Sequence, residues 1–248
     1  MSDPVIKIYG ERNTGTNYLQ QLLRANFKVE VLPGGHPEHR WPFNATFSGS
    51  EMFREMWHFL TFRRNLGWKH TAIAQEKFIK AFSAFPGLRV IFLLKNPYSW
   101  IVSLHRRPYH SPSHLEKSLG EFVEQPWRTL RREHLPRVVD GPAQLWQMKV
   151  ASYQSIADKI PSIAIRYEDL LRDPEAVVAG LGKELKLPVR GQWRNIEASA
   201  KGDIKGFSDY RDYYLNERWK GDLTPEITGA ITRRLEAPTL ERFGYQVL

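Results

Sequence analysis

The sequence predicts a single α/β domain, a parallel sheet flanked by helices of the P-loop nucleotide-kinase-like class, and three observations predict it. The chain opens on an apolar run, Val5 to Tyr9, that turns through Gly10 and Gly15 into a helix-patterned segment. Arg89 to Lys95 is a second, continuous apolar run, suited to a strand buried on both faces of a parallel sheet. Ser162 to Arg166 is a third such run, and helix-patterned segments separate them. That alternation implies right-handed crossovers, and ligands of such sheets sit at the carboxyl ends of the strands.

Each element has a local reason. Val5, Ile6 and Ile8 mark the first strand, and Tyr18, Leu19, Leu22 and Leu23 fall at helical spacing behind the loop. The spacing Gly10-x4-Gly15 is that of a Walker A loop, whose amides and following helix N-terminus cradle phosphate oxygens. Thr16 and Asn17 stand where a nucleotide triphosphatase carries Lys and then Ser or Thr, so a ligand without a γ-phosphate is expected. Leu32 to Ser50 is turn-rich and reads as a long surface excursion of the kind that carries function. Gly67 to Ile73 reads as a short strand with a polar exit, and Ala74 to Phe85 as a helix closed by Pro86-Gly87. Asn96-Pro97 starts another helix, and further helices are expected near 118–134 and 143–158, with Trp100, Phe122 and Trp146 as core residues. Asp173-Pro174 caps the next helix, which ends by Leu185 to Pro188.

Composition bounds the function. The 248 residues fit one domain, 1–248. The absence of cysteine excludes disulfides and cysteine metal sites. No apolar run approaches the ~20 residues that span a bilayer, and Asp3-Pro4 leads straight into the first strand where a signal peptide would place a basic and then an apolar segment. A soluble, cytoplasmic protein with no membrane partner is the expectation. The net charge of +9 favours an anionic ligand. Its arginine pairs at 63–64, 106–107, 131–132 and 233–234 are scattered without a nucleic-acid module, so no specific nucleic acid is expected. His36-x2-His39 lacks an identifiable third ligand, and no metal is predicted.

Three strand ends together resemble the sulfotransferase family. Arg12 to Tyr18 resembles that family's 5′-phosphosulfate loop, in which a basic residue precedes Ser/Thr-Gly-Thr-Thr and an aromatic. Lys95-Asn96-Pro97 with Ser103 resembles its 3′-phosphate motif Arg-Asn-Pro-x5-Ser. Arg166 to Pro174 looks like the Tyr-Glu-Asp-Leu-x3-Pro signature, and Trp219 to Thr224 and Phe243 to Tyr245 look like the family's late Trp-Lys segment and terminal Gly-Tyr. The resemblance runs through most of the chain in order, leaving 32–65 and 105–160 uncovered. This sequence departs from the pattern at Asn13, where the family usually has its basic residue, at Asn17 for threonine, and at Lys95 for arginine.

The resemblance implies 3′-phosphoadenosine-5′-phosphosulfate as donor, its 3′,5′-bisphosphate as product, and no metal requirement. It assigns Arg12, Asn13, Thr14, Gly15, Thr16 and Asn17 to the 5′ end of the donor, and Lys95 with Ser103 to the 3′-phosphate. Tyr18 and Tyr167 then meet the adenine, although Tyr18 also lies on the apolar face of its helix, and Arg211 belongs to a late loop that closes on the donor. Trp68-Lys69-His70-Thr71 resembles the family's Lys-Thr-His segment, with Lys69 meeting the sulfuryl group and His70 taking the acceptor proton. His58, Glu51 and the His36/His39 pair are further candidates for the base. The acceptor is expected to be a hydroxyl or amine of a small molecule or carbohydrate, met by aromatics such as Trp41, Phe43, Phe47, Trp57, Tyr109 and Trp127. A P-loop nucleotide kinase or triphosphatase and a noncatalytic basic binding protein remain the alternatives.

Overall fold

The computed structural model describes residues 3–35, 47–109, 117–197 and 206–248, with side chains from 51 onward in the second helix. In chain order the elements are β1 (Val5–Tyr9), α1 (Thr16–Asn26), β2 (Glu30–Val31), α2 (Phe47–Asn65), α3 (Gln75–Phe82), β3 (Arg89–Leu94), α4 (Pro97–Arg106) and α5 (Leu119–Glu124). There follow β4 (Trp127–Arg128), β5 (Val138–Val139), α6 (Gly141–Ala157), β6 (Ser162–Arg166), α7 (Tyr167–Arg172), α8 (Pro174–Glu184), α9 (Phe207–Leu215), α10 (Pro225–Thr232) and α11 (Ala237–Arg242). Four strands form a parallel sheet in the order β2-β1-β3-β6, which is the α/β architecture the apolar runs predict. No described helix is long and apolar enough to cross a membrane.

The sheet brings three loops to one edge. β3 lies between β1 and β6, its residues Val90 to Leu94 buried, and Phe92 stacks on Tyr153 of α6 at 4.9 Å. Asn96 caps α4 by accepting from the amides of Tyr98 and Ser99, with Pro97 in the first turn. Asp173 does the same for α8 through the amide of Ala176. The carboxyl ends of β1, β3 and β6 therefore deliver Gly10, Lys95 and Tyr167 side by side.

Three expectations differ from the structure. Residues 67–73 are not a strand. Leu66 and Gly67 take left-handed φ values of 58° and 76°, and the segment runs as a turn whose carbonyls are bonded by side chains from elsewhere. The stretch 118–134 is not one helix either, because Pro126 forces Gln125 into extended backbone and ends α5 at Glu124. The chain continues into β4, which pairs antiparallel with β5. The helix expected to reach Phe85 stops at Phe82.

Candidate active site

The loop between β1 and α1 is held from behind. Trp100 donates its indole N–H to the Arg12 carbonyl at 2.8 Å, and Gly10 N–H donates to the Lys69 carbonyl at 3.0 Å. Asn13 has φ 64° and Gly15 φ 80°, so both occupy the left-handed region that Gly and Asn tolerate best. At Gly15 a side chain is also excluded by contact, because a Cβ would lie 2.5 Å from the Tyr167 ring. No side chain caps α1. The amides of its first turn, Thr16, Asn17 and Tyr18, have no intrahelical partner and make a helix terminus suited to an anion. Thr14 is buried and its hydroxyl donates to the Glu11 carbonyl, so it shapes the loop.

Lys95 and Ser103, eight positions apart in sequence, meet at 2.9 Å. The Lys95 ammonium also donates to the Asn13 carbonyl at 3.2 Å, which ties this second basic point to the first loop. It lies 3.8 Å from the Tyr214 ring centre and 5.2 Å from that of Tyr167, and the Tyr214 hydroxyl is 3.0 Å from Ser103 Oγ. Burial pulls the Lys95 pKa down to about 7, against the opposing charge of Glu168. Glu168 is itself fixed by the Asn96 amide and the Tyr245 hydroxyl.

Lys69 and His70 stand across the loop from these groups. The Lys69 ammonium donates to Asn17 Oδ1, and burial with the nearby Arg12 charge lowers its pKa to about 8. His70 is buried edge-on to Trp68, with ring centres 5.1 Å apart. Its Nδ1 bonds the Gly10 carbonyl. A carbonyl only accepts, so Nδ1 carries the hydrogen and Nε2 keeps the lone pair. Burial first, then the charges of Lys69 and Arg12, push the His70 pKa well below its usual value and keep the ring neutral. The Arg12 guanidinium lies over the Tyr109 ring at 4.9 Å.

Beneath them is an ion network absent from the expected site. Lys149 of α6, wholly buried, bonds carboxylate oxygens of Glu11 and Glu133, and donates to the His70 carbonyl at 2.8 Å. Tyr109 donates to Glu133 at 2.9 Å. The arrangement anchors Glu11 of the β1–α1 loop and His70 from one ammonium. Glu11 and Lys149 are not singled out in the sequence. The available signal was position, since Lys149 falls on the Trp146, Val150 and Tyr153 face of its helix.

Other expected residues are placed less centrally. Tyr18 hydrogen-bonds Asn195 at 2.7 Å and stacks on Phe207 at 5.7 Å. Arg211 donates to the Arg172 carbonyl at 3.2 Å. Glu51 is paired with Arg132 and Arg54, whose charges outweigh burial and lower its pKa. His58 is buried 6.4 Å from the Trp68 ring. Trp127 is a core residue packed edge-on to Tyr109. His36, His39, Trp41, Phe43 and the Phe47 side chain lie outside the described residues. No cluster of three or more His, Cys, Asp or Glu suited to a metal occurs among the described residues. A cavity of about 630 Å³ between α6, β6 and α8, lined by Phe92, Tyr153, Ala164, Val177 and Arg242, contains none of the donor-loop residues.

No protein-family model matches the chain, and no curated protein matches its sequence. Solved structures do match. The sulfotransferase domain from the curacin biosynthetic pathway aligns with a TM-score of 0.51 over 99% of both chains, at 15% identity. A sulfotransferase from Alicyclobacillus acidocaldarius aligns at 0.52 over 98% of this chain and 94% of its own, at 14% identity. The chain has a sulfotransferase fold. The sulfotransferase domain of the Synechococcus PCC 7002 olefin synthase agrees, with a TM-score of 0.51 at 12% identity over 94% of this chain and 95% of that one. At such identities the likeness concerns the sulfotransferase fold, and the chemistry rests on the side chains described above.

Proposed function

We propose that the protein transfers a sulfuryl group from 3′-phosphoadenosine-5′-phosphosulfate to a hydroxyl or amine of a small molecule or carbohydrate. One observation carries the reading. Two basic anion subsites, the α1 amides with Lys69 and the Lys95–Ser103 pair, open at neighbouring strand ends and are joined by the bond from Lys95 to the Asn13 carbonyl. A nucleotide with phosphates at both ends of its ribose needs two such points, whereas the loop lacks the lysine that a γ-phosphate requires.

The donor supplies the sulfuryl group and leaves as the bisphosphate. His70 Nε2 takes the acceptor proton as the acceptor oxygen or nitrogen bonds to sulfur. Arg12, Lys69 and the α1 amides meet the negative charge that grows on the departing 5′-phosphate as its bond to sulfur breaks. Lys95 and Ser103 hold the remote phosphate, so they act on binding. A phosphate oxygen that reaches Ser103 takes the place of the Tyr214 hydroxyl.

Calorimetry with adenosine 3′,5′-bisphosphate and with ATP, each with and without magnesium, tests the reading. Tight, magnesium-independent binding of the bisphosphate is expected. A preference for ATP with magnesium overturns it in favour of a kinase or triphosphatase, and binding of neither ligand overturns it in favour of a noncatalytic protein. Mass spectrometry of acceptor mixtures for the gain of one sulfuryl group then identifies the acceptor.

A further inference from the structure

Lys7 sits in the middle of β1, wholly buried between Ile6 and Ile8. Its ammonium donates to the carbonyls of Asn65 at 2.6 Å, Gly67 at 2.7 Å and Pro33 at 2.8 Å. Three carbonyls use all three N–H donors of a lysine ammonium. Two positions along the same strand, the Tyr9 hydroxyl donates to the Leu66 carbonyl at 2.6 Å. The turn at 65–67, left-handed at both Leu66 and Gly67, therefore has every carbonyl bonded by a side chain of β1.

The bonded segments are the ones that grip Lys69. The Lys69 amide donates to the Gly34 carbonyl at 3.0 Å, one residue beyond Pro33. Gly34 also lies against the Lys69 stem, so closely that a Cβ at position 34 would be 2.4 Å from Lys69 Cδ. An apolar side chain would fill a strand interior without the cost of burying an ammonium. What the ammonium adds is a three-way tie between β1, the 33–34 segment and the 65–67 turn.

We propose that Lys7 is a positioning residue whose buried ammonium, together with the Tyr9 hydroxyl, fixes the turn before Lys69 and thereby sets the Lys69 ammonium against the donor loop. The proposal rests on the reading of Lys69 as a group that meets the charge growing on the departing 5′-phosphate. Lys7 itself touches neither the loop amides nor the acceptor side. Its effect on turnover runs through Lys69.

Lys7→Met tests this with two readouts. The first is the pH dependence of Lys69 acetylation by acetic anhydride, followed by peptide mass spectrometry, which needs no enzymatic activity. In the parent the midpoint is expected at about 8, and in Lys7→Met it should rise by about one pH unit or more as Lys69 swings into water and away from the Arg12 charge. The second is a split in kinetics: kcat should drop about tenfold or more, while the Kd for adenosine 3′,5′-bisphosphate stays within about threefold. An unmoved Lys69 midpoint in folded Lys7→Met overturns the proposal, as does a loss of bisphosphate affinity equal to the loss in kcat. A raised midpoint in a protein that proves to transfer no sulfuryl group supports the clamp and removes only the transfer reading. Should Lys7→Met not fold, Tyr9→Phe removes one oxygen from the same clamp. A smaller upward shift is then expected, and none overturns the proposal.

Discussion

His70, Lys95 and Arg12 each leave a distinct experimental mark. On the proposed reading, His70 Nε2 must be unprotonated to accept a proton, so activity should be present above its folded pKa and lost as pH falls through it. Burial and the neighbouring cations lower that pKa, and the acidic limb of kcat should lie below the ordinary histidine range. His70→Gln should abolish both the limb and most turnover, and a variant that keeps both removes His70 from the mechanism. Lys95 titrates at about 7 in the free protein, and a bound phosphate dianion raises that value. Bisphosphate binding should then take up a proton, with affinity full below pH 7 and falling by up to about tenfold per unit above it. Calorimetry in buffers of different ionisation enthalpy reads the proton directly, and Lys95→Met should bind weakly with no such pH dependence. Arg12→Ala should cut kcat by about 10²–10³-fold with little change in bisphosphate affinity, because its charge is needed as the phosphate departs.

At the scale of elements, α9 lies over the Lys95–Ser103 pair through Tyr214, whose hydroxyl shares a hydrogen bond with Ser103. Tyr214→Phe keeps the ring over Lys95 and removes the competing hydroxyl, so bisphosphate affinity should rise by about fivefold, the worth of one ordinary hydrogen bond of about 1 kcal/mol. Weaker binding measured by the same titration would show that the hydroxyl assists the phosphate. The elements that carry the site differ in how readable they were. β1, β3 and β6 are short apolar runs ended by Gly10, Asn96-Pro97 and a helix start, and such local signals suffice to place three strand ends together. The segment 67–73 looks like a strand because Trp68, Ala72 and Ile73 are buried. The carbonyls of Gly67, His70 and Thr71, however, accept from Lys7, Lys149 and Tyr153, which lie far away in sequence and leave no local pattern. Lys69 and His70 therefore escape the opposite-face rule of a strand and both reach the donor loop. Trp100 and Trp146 were legible as core, yet their indoles also hold the carbonyls of Arg12 and Lys95, a role that only the fold reveals.

The molecule as a whole organises its site around buried cations. Among the described residues three lysines, Lys7, Lys95 and Lys149, are fully buried, and each bonds a backbone carbonyl of a segment that lines the site. A net charge of +9 draws anions toward the protein, and these interior ammoniums determine where loops sit. Lys149 shows the energetic consequence most clearly. Burial alone would lower its pKa, yet Glu11 and Glu133 outweigh that and raise it, so its contribution to stability is full below its unfolded value and is lost only as pH rises through the folded one. Removing the cation leaves two carboxylates facing each other in the interior. Lys149→Met should therefore destabilise the fold by about 3–5 kcal/mol in denaturant unfolding. Adding Glu11→Gln and Glu133→Gln to Lys149→Met removes the uncompensated charges and should recover most of that loss. Recovery of stability without recovery of kcat is expected, because the triple variant no longer ties Glu11 in the donor loop to the His70 carbonyl. A triple variant as unstable as Lys149→Met would mean that packing around α6, and not charge, governs this part of the core.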